Sequence, residues 1–154
     1  MVVLPPSRIR FTAGSKEYYE SKQWLHYQMS GPGPYWGQDA WFTIYYPEKG
    51  PSTAERYINE IRRVSDMLNR SLQNKDYLVG GKYSYVDAAI VPWFEVVALI
   101  FPNELDLEKS FPHVNSWLNR IKARPAISKT IDDKAKAAAA EGKYGNITAD
   151  ETSR

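Results

Sequence analysis

The sequence predicts an all-α fold, and three observations lead to that prediction. Apolar residues recur at helical spacing in several segments. A Ser-x-x-Asp pair of the kind that caps helices precedes the most apolar stretch, and no segment alternates polar and apolar residues as a strand would. With 154 residues, the chain has the size of one ordinary domain. We expect a bundle of about five to six helices.

The charge and cysteine content exclude several classes of site. The 20 basic and 18 acidic residues leave a net charge of +2, which gives no basic surface for nucleic acid or an anionic membrane. The chain has no cysteine, so disulfides, thiolate metal sites and a cysteine nucleophile are excluded. His26 and His113 lie far apart, without carboxylates at ligand spacing. We expect no metal site and no nucleic-acid partner.

The hydropathy pattern favours a cytoplasmic protein. The segment MVVLPPSRIR has too few apolar residues before its prolines for a signal-peptide core. No segment approaches the roughly 20 apolar residues of a membrane span. We therefore expect no membrane partner.

The first helix is predicted to begin after Ser15, a residue type that caps helices. Its end is predicted near SGPGP (30–34), since glycine and proline interrupt helices. The following GQDAWFTIYY (37–46) is compatible with a helix or an extended chain, because periodicity alone does not separate the two.

The clearest helix follows Pro51 and covers STAERYINEIRRVSDMLNRSLQN. Its apolar residues form one stripe, namely Tyr57, Ile61, Val64, Leu68 and Leu72. Another helix is predicted over 110–123, with an apolar face of Phe111, Val114, Trp117, Leu118 and Ile121. The last helix is predicted after Pro125.

The stretch GGKYSYVDAAIVPW (80–93) begins with a capping box formed by Ser84 and Asp87. The helix behind it is apolar nearly all round, so we expect it to be buried. A buried helix start without such partners costs roughly 1–3 kcal/mol per unsatisfied group. The pair is therefore interpreted as structural, and Pro92 is expected to kink the helix.

Four segments together resemble the C-terminal helical domain of the glutathione transferase family. YLVGGKYSYVDAAIVPW contains the Ser-x-x-Asp box that opens the family's central buried helix. FPHVNSWLNRIKARPAI is similar to its penultimate helix. YYESKQWLHYQMSGPGPYWGQDAWF and AERYINEIRRV resemble the branch that includes the yeast nitrogen regulator Ure2 and the nu-class enzymes.

The resemblance implies an N-terminal arm over 1–15, a helical domain over 16–142 and a flexible tail over 143–154. Members of the family normally begin with a thioredoxin-like domain, which supplies most of the glutathione site and the residue that activates the thiol. Residues 1–15 contain no counterpart of it, and RIRFTAG is interpreted as a linker remnant. Three alternatives stay open. The helical domain works alone, the site is rebuilt with a second subunit, or a separate protein supplies the thioredoxin-like domain.

Arg56 is the first glutathione-binding residue that the resemblance implies, and Gln38 is the second. In nu-class relatives the arginine matching Arg56 approaches glutathione bound to the neighbouring subunit. A guanidinium can pair bidentately with the carboxylates of this γ-glutamyl peptide. The alternative is an exposed ion pair between Arg56 and Glu60.

A dense group of aromatic residues follows the Gly-Pro segment. In relatives this region approaches the hydrophobic substrate pocket and the dimer cleft, and such rings can stack on a planar substrate. The predicted substrate-binding residues are Tyr35, Trp41, Phe42 and Trp93. Tyr45, expected to share a helical face with Trp41, is the predicted catalytic residue because its hydroxyl can hydrogen-bond a thiolate or an enolate oxygen. Core or dimer packing is the alternative for these rings, and His26 is interpreted as an ordinary helix histidine.

Two functions stay open. In the first, glutathione is the cofactor and its thiolate adds to a small hydrophobic electrophile, giving conjugation or cis–trans isomerisation in fungal secondary metabolism. In the second, the chain is a non-catalytic binding, assembly or regulatory module. A homodimer is expected under either, because apolar surface left by a missing domain needs covering.

Overall fold

The computed structural model describes residues 9–47, 50–101 and 105–141. Seven helices lie in these ranges: α1 (Lys16–Ser30), α2 (Pro32–Ile44), α3 (Pro51–Ser71), α4 (Tyr85–Ile100), α5 (Leu107–Ser110), α6 (Pro112–Lys122) and α7 (Pro125–Glu141). No strand occurs among the described residues. Since α5 is a single turn of 4 residues, the described chain contains six longer helices, and the all-α prediction is confirmed.

Capping explains where the first helices begin and end. The Oγ of Ser15 accepts a hydrogen bond from the backbone N–H of Tyr18 at 3.2 Å, as predicted. α1 ends at Gly31, whose N–H donates to the carbonyl of Tyr27 at 2.9 Å. α2 then starts at once with Pro32, because proline is well suited to the first position of a helix. The Gly-Pro segment is therefore the first turn of α2, and the alternative left open for 37–46 is resolved as helix up to Ile44.

The predicted apolar faces of α3 and α6 are buried. Tyr57 is 9% exposed, and the other four members of the α3 stripe are 2% exposed or less. All five predicted members of the face over 110–123 are also buried. The helical periodicity in these two segments thus identified a large part of the core.

Asp87 organises the start of α4. Its Oδ2 accepts from the backbone N–H of Ser84 at 2.9 Å and from the Ser84 hydroxyl at 3.0 Å. Its Oδ1 accepts from the N–H of Leu78 at 3.2 Å and from the Trp117 indole at 2.9 Å. The capping box is confirmed, and the same carboxylate also connects α4 to the preceding loop and to α6. Pro92 lies within α4.

The residues before α1 are held by the loop that precedes α4. The carbonyl of Ile9 accepts from the N–H of Tyr85 at 3.2 Å, and the carbonyl of Arg10 accepts from the Lys82 ammonium at 2.9 Å. The same ammonium lies 4.9 Å from the centre of the Phe11 ring, a cation–π distance. The described part of the predicted arm is therefore attached to the helical domain. The predicted tail, 143–154, lies outside the described residues.

The chain divides into two compact units after Leu118. In the first unit, α2 lies against α1, α3 and α4, and α1 also lies against α4. The Tyr27 hydroxyl on α1 donates to the carbonyl of Val64 on α3 at 2.9 Å, and burial raises the pKa of this phenol. The second unit contains the end of α6 and α7.

Candidate functional site

The candidate site is built on α2, because this helix presents different residues to the core and to solvent. Trp36 and Asp39 are 1% and 0% exposed, and the Trp36 ring meets Phe94 of α4 edge-on at 4.8 Å. Gln38 and Trp41, one helical turn apart, are exposed. The core contacts on one side of α2 thus set the direction in which Gln38 and Trp41 point.

Four rings pack together where α2 ends and α3 begins, and we call Trp41, Phe42, Tyr46 and Tyr57 the aromatic cluster. The Phe42 ring lies 5.0 Å from Trp41, 5.1 Å from Tyr46 and 5.4 Å from Tyr57, with the last pair stacked at 22°. Trp41 also contacts Tyr46 at 5.2 Å. Trp41 nevertheless remains 47% exposed, so the cluster supports an indole that a planar ligand can reach.

Gln38 is connected to the same cluster through Tyr57. The Tyr57 hydroxyl donates to Oε1 of Gln38 at 2.6 Å. Tyr57 is buried whereas Gln38 is exposed, so a core side chain from α3 holds a surface amide on α2. A polar group therefore lies beside the exposed indole.

Arg56 is exposed on α3, next to Tyr57 in the sequence. Its suggested partner Glu60 is bonded instead to Arg63, whose Nε donates to Oε2 of Glu60 at 2.8 Å. This hydrogen bond raises the pKa of Arg63. The alternative interpretation of Arg56, an ion pair with Glu60, is not what the structure shows. Its role as a glutathione ligand stays a prediction.

The remaining predicted residues have separate positions. Tyr45 follows α2 as its C-cap and is 71% exposed, and the ring contacts of Trp41 are made with Phe42 and Tyr46 rather than with Tyr45. Trp93 lies along the first half of α2, where a Cβ at Gly33 would be 3.6 Å from its Cζ2. Tyr35 is half-buried and His26 is exposed. The structure thus groups Gln38, Trp41 and Phe42, and does not add Tyr45 or Trp93 to the aromatic cluster.

Tyr57 is a site residue that the sequence did not predict, and Tyr46 was predicted only as a member of the dense aromatic group after the Gly-Pro segment. Tyr57 was predicted only as part of the apolar stripe of α3. A signal was present, because a tyrosine in an otherwise aliphatic stripe needs a hydrogen-bond partner when it is buried. The identity of that partner depends on how α2 and α3 pack, which the local pattern does not contain.

Three other features would bear on function if the described residues contained them: a pocket, a group of metal-ligating side chains and a helix that could cross a membrane. A small apolar depression is lined by Ile58, Ile61, Val97, Phe101 and Leu105, none of which is a predicted site residue. Within the described ranges there is no group of His, Cys, Asp or Glu that could hold a metal ion. None of the described helices is both long and apolar enough to cross a membrane.

Comparison with known proteins identifies the family. Residues 34–125 match the glutathione S-transferase C-terminal domain. The glutathione S-transferase-like protein tpcF of Aspergillus fumigatus is 42% identical over 138 residues, which cover 84% of this chain and 61% of that protein. Glutathione S-transferase 1 of Schizosaccharomyces pombe is 38% identical over 131 residues, which cover 79% of this chain and 57% of that protein.

A solved structure extends the likeness to the fold. The glutathione transferase URE2P6 from Phanerochaete chrysosporium, in complex with oxidized glutathione, matches with a TM-score of 0.77 at 42% identity. The match covers 84% of this chain and 59% of that one, so this chain spans less than two thirds of the length of each of these relatives. Gln38, Trp41 and Arg56 lie within the matched region, and the chain belongs to the glutathione S-transferase family, with Ure2-type proteins among its relatives.

Proposed function

We propose that the protein binds glutathione and directs the addition of its thiolate to a small hydrophobic electrophile. The observation that supports this proposal is the exposed, ring-supported indole of Trp41 beside the amide of Gln38. Such a surface offers an apolar platform and a polar anchor together. Membership of the glutathione S-transferase family supports glutathione as the thiol.

The reaction assigns a role to each predicted residue. Arg56 and Gln38 bind the peptide part of glutathione, and Arg56 pairs with a carboxylate. The electrophile lies on Trp41 and Phe42, with Tyr35 and Trp93 completing the apolar lining. Tyr45 donates a hydrogen bond to the thiolate or to the enolate oxygen that forms, which favours the charged species over its neutral form.

Two products follow from the same first step. The sulfur forms a bond to the β-carbon of an activated double bond, and the π electrons move to the conjugated oxygen to give an enolate. Protonation of the α-carbon then gives a conjugate. Alternatively, the enolate rotates about the bond between its α- and β-carbons, which is now a single bond. The enolate electrons then re-form the double bond and expel the thiolate, which gives the isomerised product and regenerates glutathione.

The proposal includes an assembly and a setting. We place the protein in the cytoplasm as a homodimer, acting in fungal secondary metabolism. The residue that activates the thiol comes from the helices, from the second subunit or from a thioredoxin-like domain. The fungal relatives support this setting only by their source.

A non-catalytic binding or regulatory module is the second candidate. It is favoured by the position of Tyr45, which at 71% exposure has little of the surrounding protein that excludes water from a reacting group. A glutathione-binding module would still need Arg56 and Gln38, but it would not need Tyr45.

The experiment that tests the enzymatic proposal is a product analysis. The protein is incubated with glutathione and a hydrophobic cis-enone. The products are then separated by chromatography, and their masses are measured by mass spectrometry. A thioether adduct shows conjugation, and a trans-enone of unchanged mass that needs glutathione shows isomerisation. We expect Tyr45→Phe to slow either reaction about 100-fold, whereas the control Tyr19→Phe leaves the rate unchanged. A wild-type rate equal to the reaction without protein would contradict the enzymatic proposal and leave the binding module.

A further inference from the structure

Gln38 and Trp41 lie one turn apart on the exposed face of α2, and both depend on Tyr57. Its hydroxyl contacts Gln38 directly. Its ring stacks on Phe42, which in turn contacts Trp41. Tyr57 is 9% exposed, so one buried side chain from α3 connects two exposed side chains of α2.

The hydrogen bond to Tyr57 fixes which end of the Gln38 amide faces solvent. The 2.6 Å between the two atoms is short for an N–H···O contact but ordinary for O–H···O, which occurs at about 2.5–3.0 Å. The group facing Tyr57 is therefore the amide oxygen of Gln38. Its nitrogen, with two N–H donors, is left to point away from Tyr57 on an exposed side chain.

The ring of Tyr57 has a separate effect on the indole. The Tyr57 ring stacks on one face of the Phe42 ring. The Phe42 ring in turn meets the Trp41 ring edge-on, with an interplanar angle of 84°. Tyr46 contacts Trp41 from another direction. Two neighbouring rings therefore restrict the indole, although 47% of the side chain is exposed.

We propose that Tyr57 is a positioning residue that holds Gln38 as a hydrogen-bond donor beside Trp41. The site then selects planar ligands that carry an acceptor, such as a carbonyl conjugated to an aromatic or unsaturated system. The assignment of this ligand as the electrophile rests on the proposed function, because the conjugated oxygen that activates a double bond is such an acceptor. A donor aimed at that oxygen also stabilises, together with Tyr45, the enolate that forms on addition. The Gln38 nitrogen has two N–H donors, so one serves this oxygen and the other serves glutathione.

The test compares two probes of nearly the same shape in the absence of glutathione. The probe 2-acetylnaphthalene carries a carbonyl, and 2-isopropenylnaphthalene carries a methylene group in its place. Binding of each is measured by equilibrium dialysis with the wild type, Tyr57→Phe, Tyr57→Leu and the control Tyr19→Phe. Circular dichroism confirms that each variant is folded.

The wild type is expected to bind the ketone about 5- to 10-fold more tightly than the alkene. In Tyr57→Phe the ring contacts remain but the amide is free to rotate, so this ratio falls to about 2 or less while alkene binding is unchanged. Tyr57→Leu also removes the ring that supports Phe42, so it weakens both probes. Tyr19→Phe keeps the wild-type ratio.

Three results would overturn the inference: a wild type that does not distinguish the probes, a wild type that binds neither probe, or a folded Tyr57→Phe that keeps the full ratio. None of these depends on glutathione. If the wild type formed glutathione adducts but did not prefer the ketone over the alkene, only the inference about Tyr57 would be contradicted. A clear preference in a protein with no glutathione-dependent product would support it while contradicting the enzymatic proposal.

Discussion

At the residue scale, the buried carboxylate of Asp87 makes more contacts than a helix cap requires. Both Asp87 and Ser84 are 0% exposed, so their donors and acceptors have no access to bulk water. The Ser-x-x-Asp spacing predicted the hydrogen bonds between Asp87 and Ser84. The bonds from Leu78 and Trp117 could not be predicted, because they depend on residues 9 and 30 positions away in the sequence.

Replacement of Asp87 is expected to destabilise the fold strongly. In Asp87→Ala the buried donors of Ser84, Leu78 and Trp117 lose their shared acceptor, and we expect a loss of about 3–5 kcal/mol in the free energy of unfolding. The measurement is urea unfolding followed by circular dichroism. The matched control is Asp106→Ala, since Asp106 also caps a helix by accepting from Lys109 N–H at 3.0 Å but is exposed. Its loss should be about 1 kcal/mol or less. If both variants lost a similar free energy of unfolding, the buried hydrogen bonds of Asp87 would contribute no more to stability than an exposed helix cap.

At the scale of the elements, proline was informative in two different ways. SGPGP correctly predicted the end of α1, but the same residues also begin α2, since a helix tolerates proline in its first turn. The sequence therefore located the boundary and left the nature of the second element open. Pro51 has the same first-turn position in α3, where the long apolar stripe made the helix unambiguous.

The candidate site was predictable to the extent that its residues share one element. Gln38, Trp41 and Phe42 all belong to α2, and their spacing and the family resemblance identified them together. Tyr57 lies 19 positions from Gln38, and its contribution appears only when α2 and α3 pack. Tyr45, expected to share a face with Trp41, directly follows the last residue of α2 as its C-cap. The residue after it, Tyr46, has the ring that contacts the indole.

The attachment of residues 9–14 to the loop before α4 can be tested with two neighbouring glycines. Gly80 and Gly81 have φ angles of 62° and 63°, a conformation that costs other residues roughly 1 kcal/mol. A Cβ at Gly80 would lie 2.8 Å from Cε1 of Phe11, whereas a Cβ at Gly81 would meet no atom within 4 Å. Both alanine variants therefore have the same backbone cost, but only Gly80→Ala displaces Phe11.

We expect Gly80→Ala to release the arm and Gly81→Ala to leave it in place. The measurement is limited trypsin digestion followed by mass spectrometry, which reports the cleavage rate after Arg10. That rate should rise several-fold in Gly80→Ala relative to Gly81→Ala, since a released backbone is more accessible to protease. Equal rates in the two variants would mean that Phe11 does not hold the arm.

At the scale of the whole molecule, family membership and the geometry of the site give information of different kinds. The match over residues 34–125 shows which domain the helices form. It does not specify the ligand chemistry, because this chain covers less than two thirds of the relatives' length. The proposed chemistry instead rests on the exposed indole, on the oriented amide and on an arginine that has no ion pair with Glu60. The proposed dimer matters here, because Arg56 is expected to act on glutathione held by the neighbouring subunit.

The central claim is that these helices contribute to a glutathione site, and an isothermal titration of the chain with glutathione tests it most directly. We expect saturable binding between micromolar and low-millimolar dissociation constants, weakened about tenfold by Arg56→Ala. Arg70→Ala is the matched control, since Arg70 is another exposed arginine of α3, paired with Asp66 at 2.6 Å, and it should leave binding unchanged. A titration without a saturable heat signal would contradict this claim, and so would an equal affinity of the wild type and Arg56→Ala for glutathione.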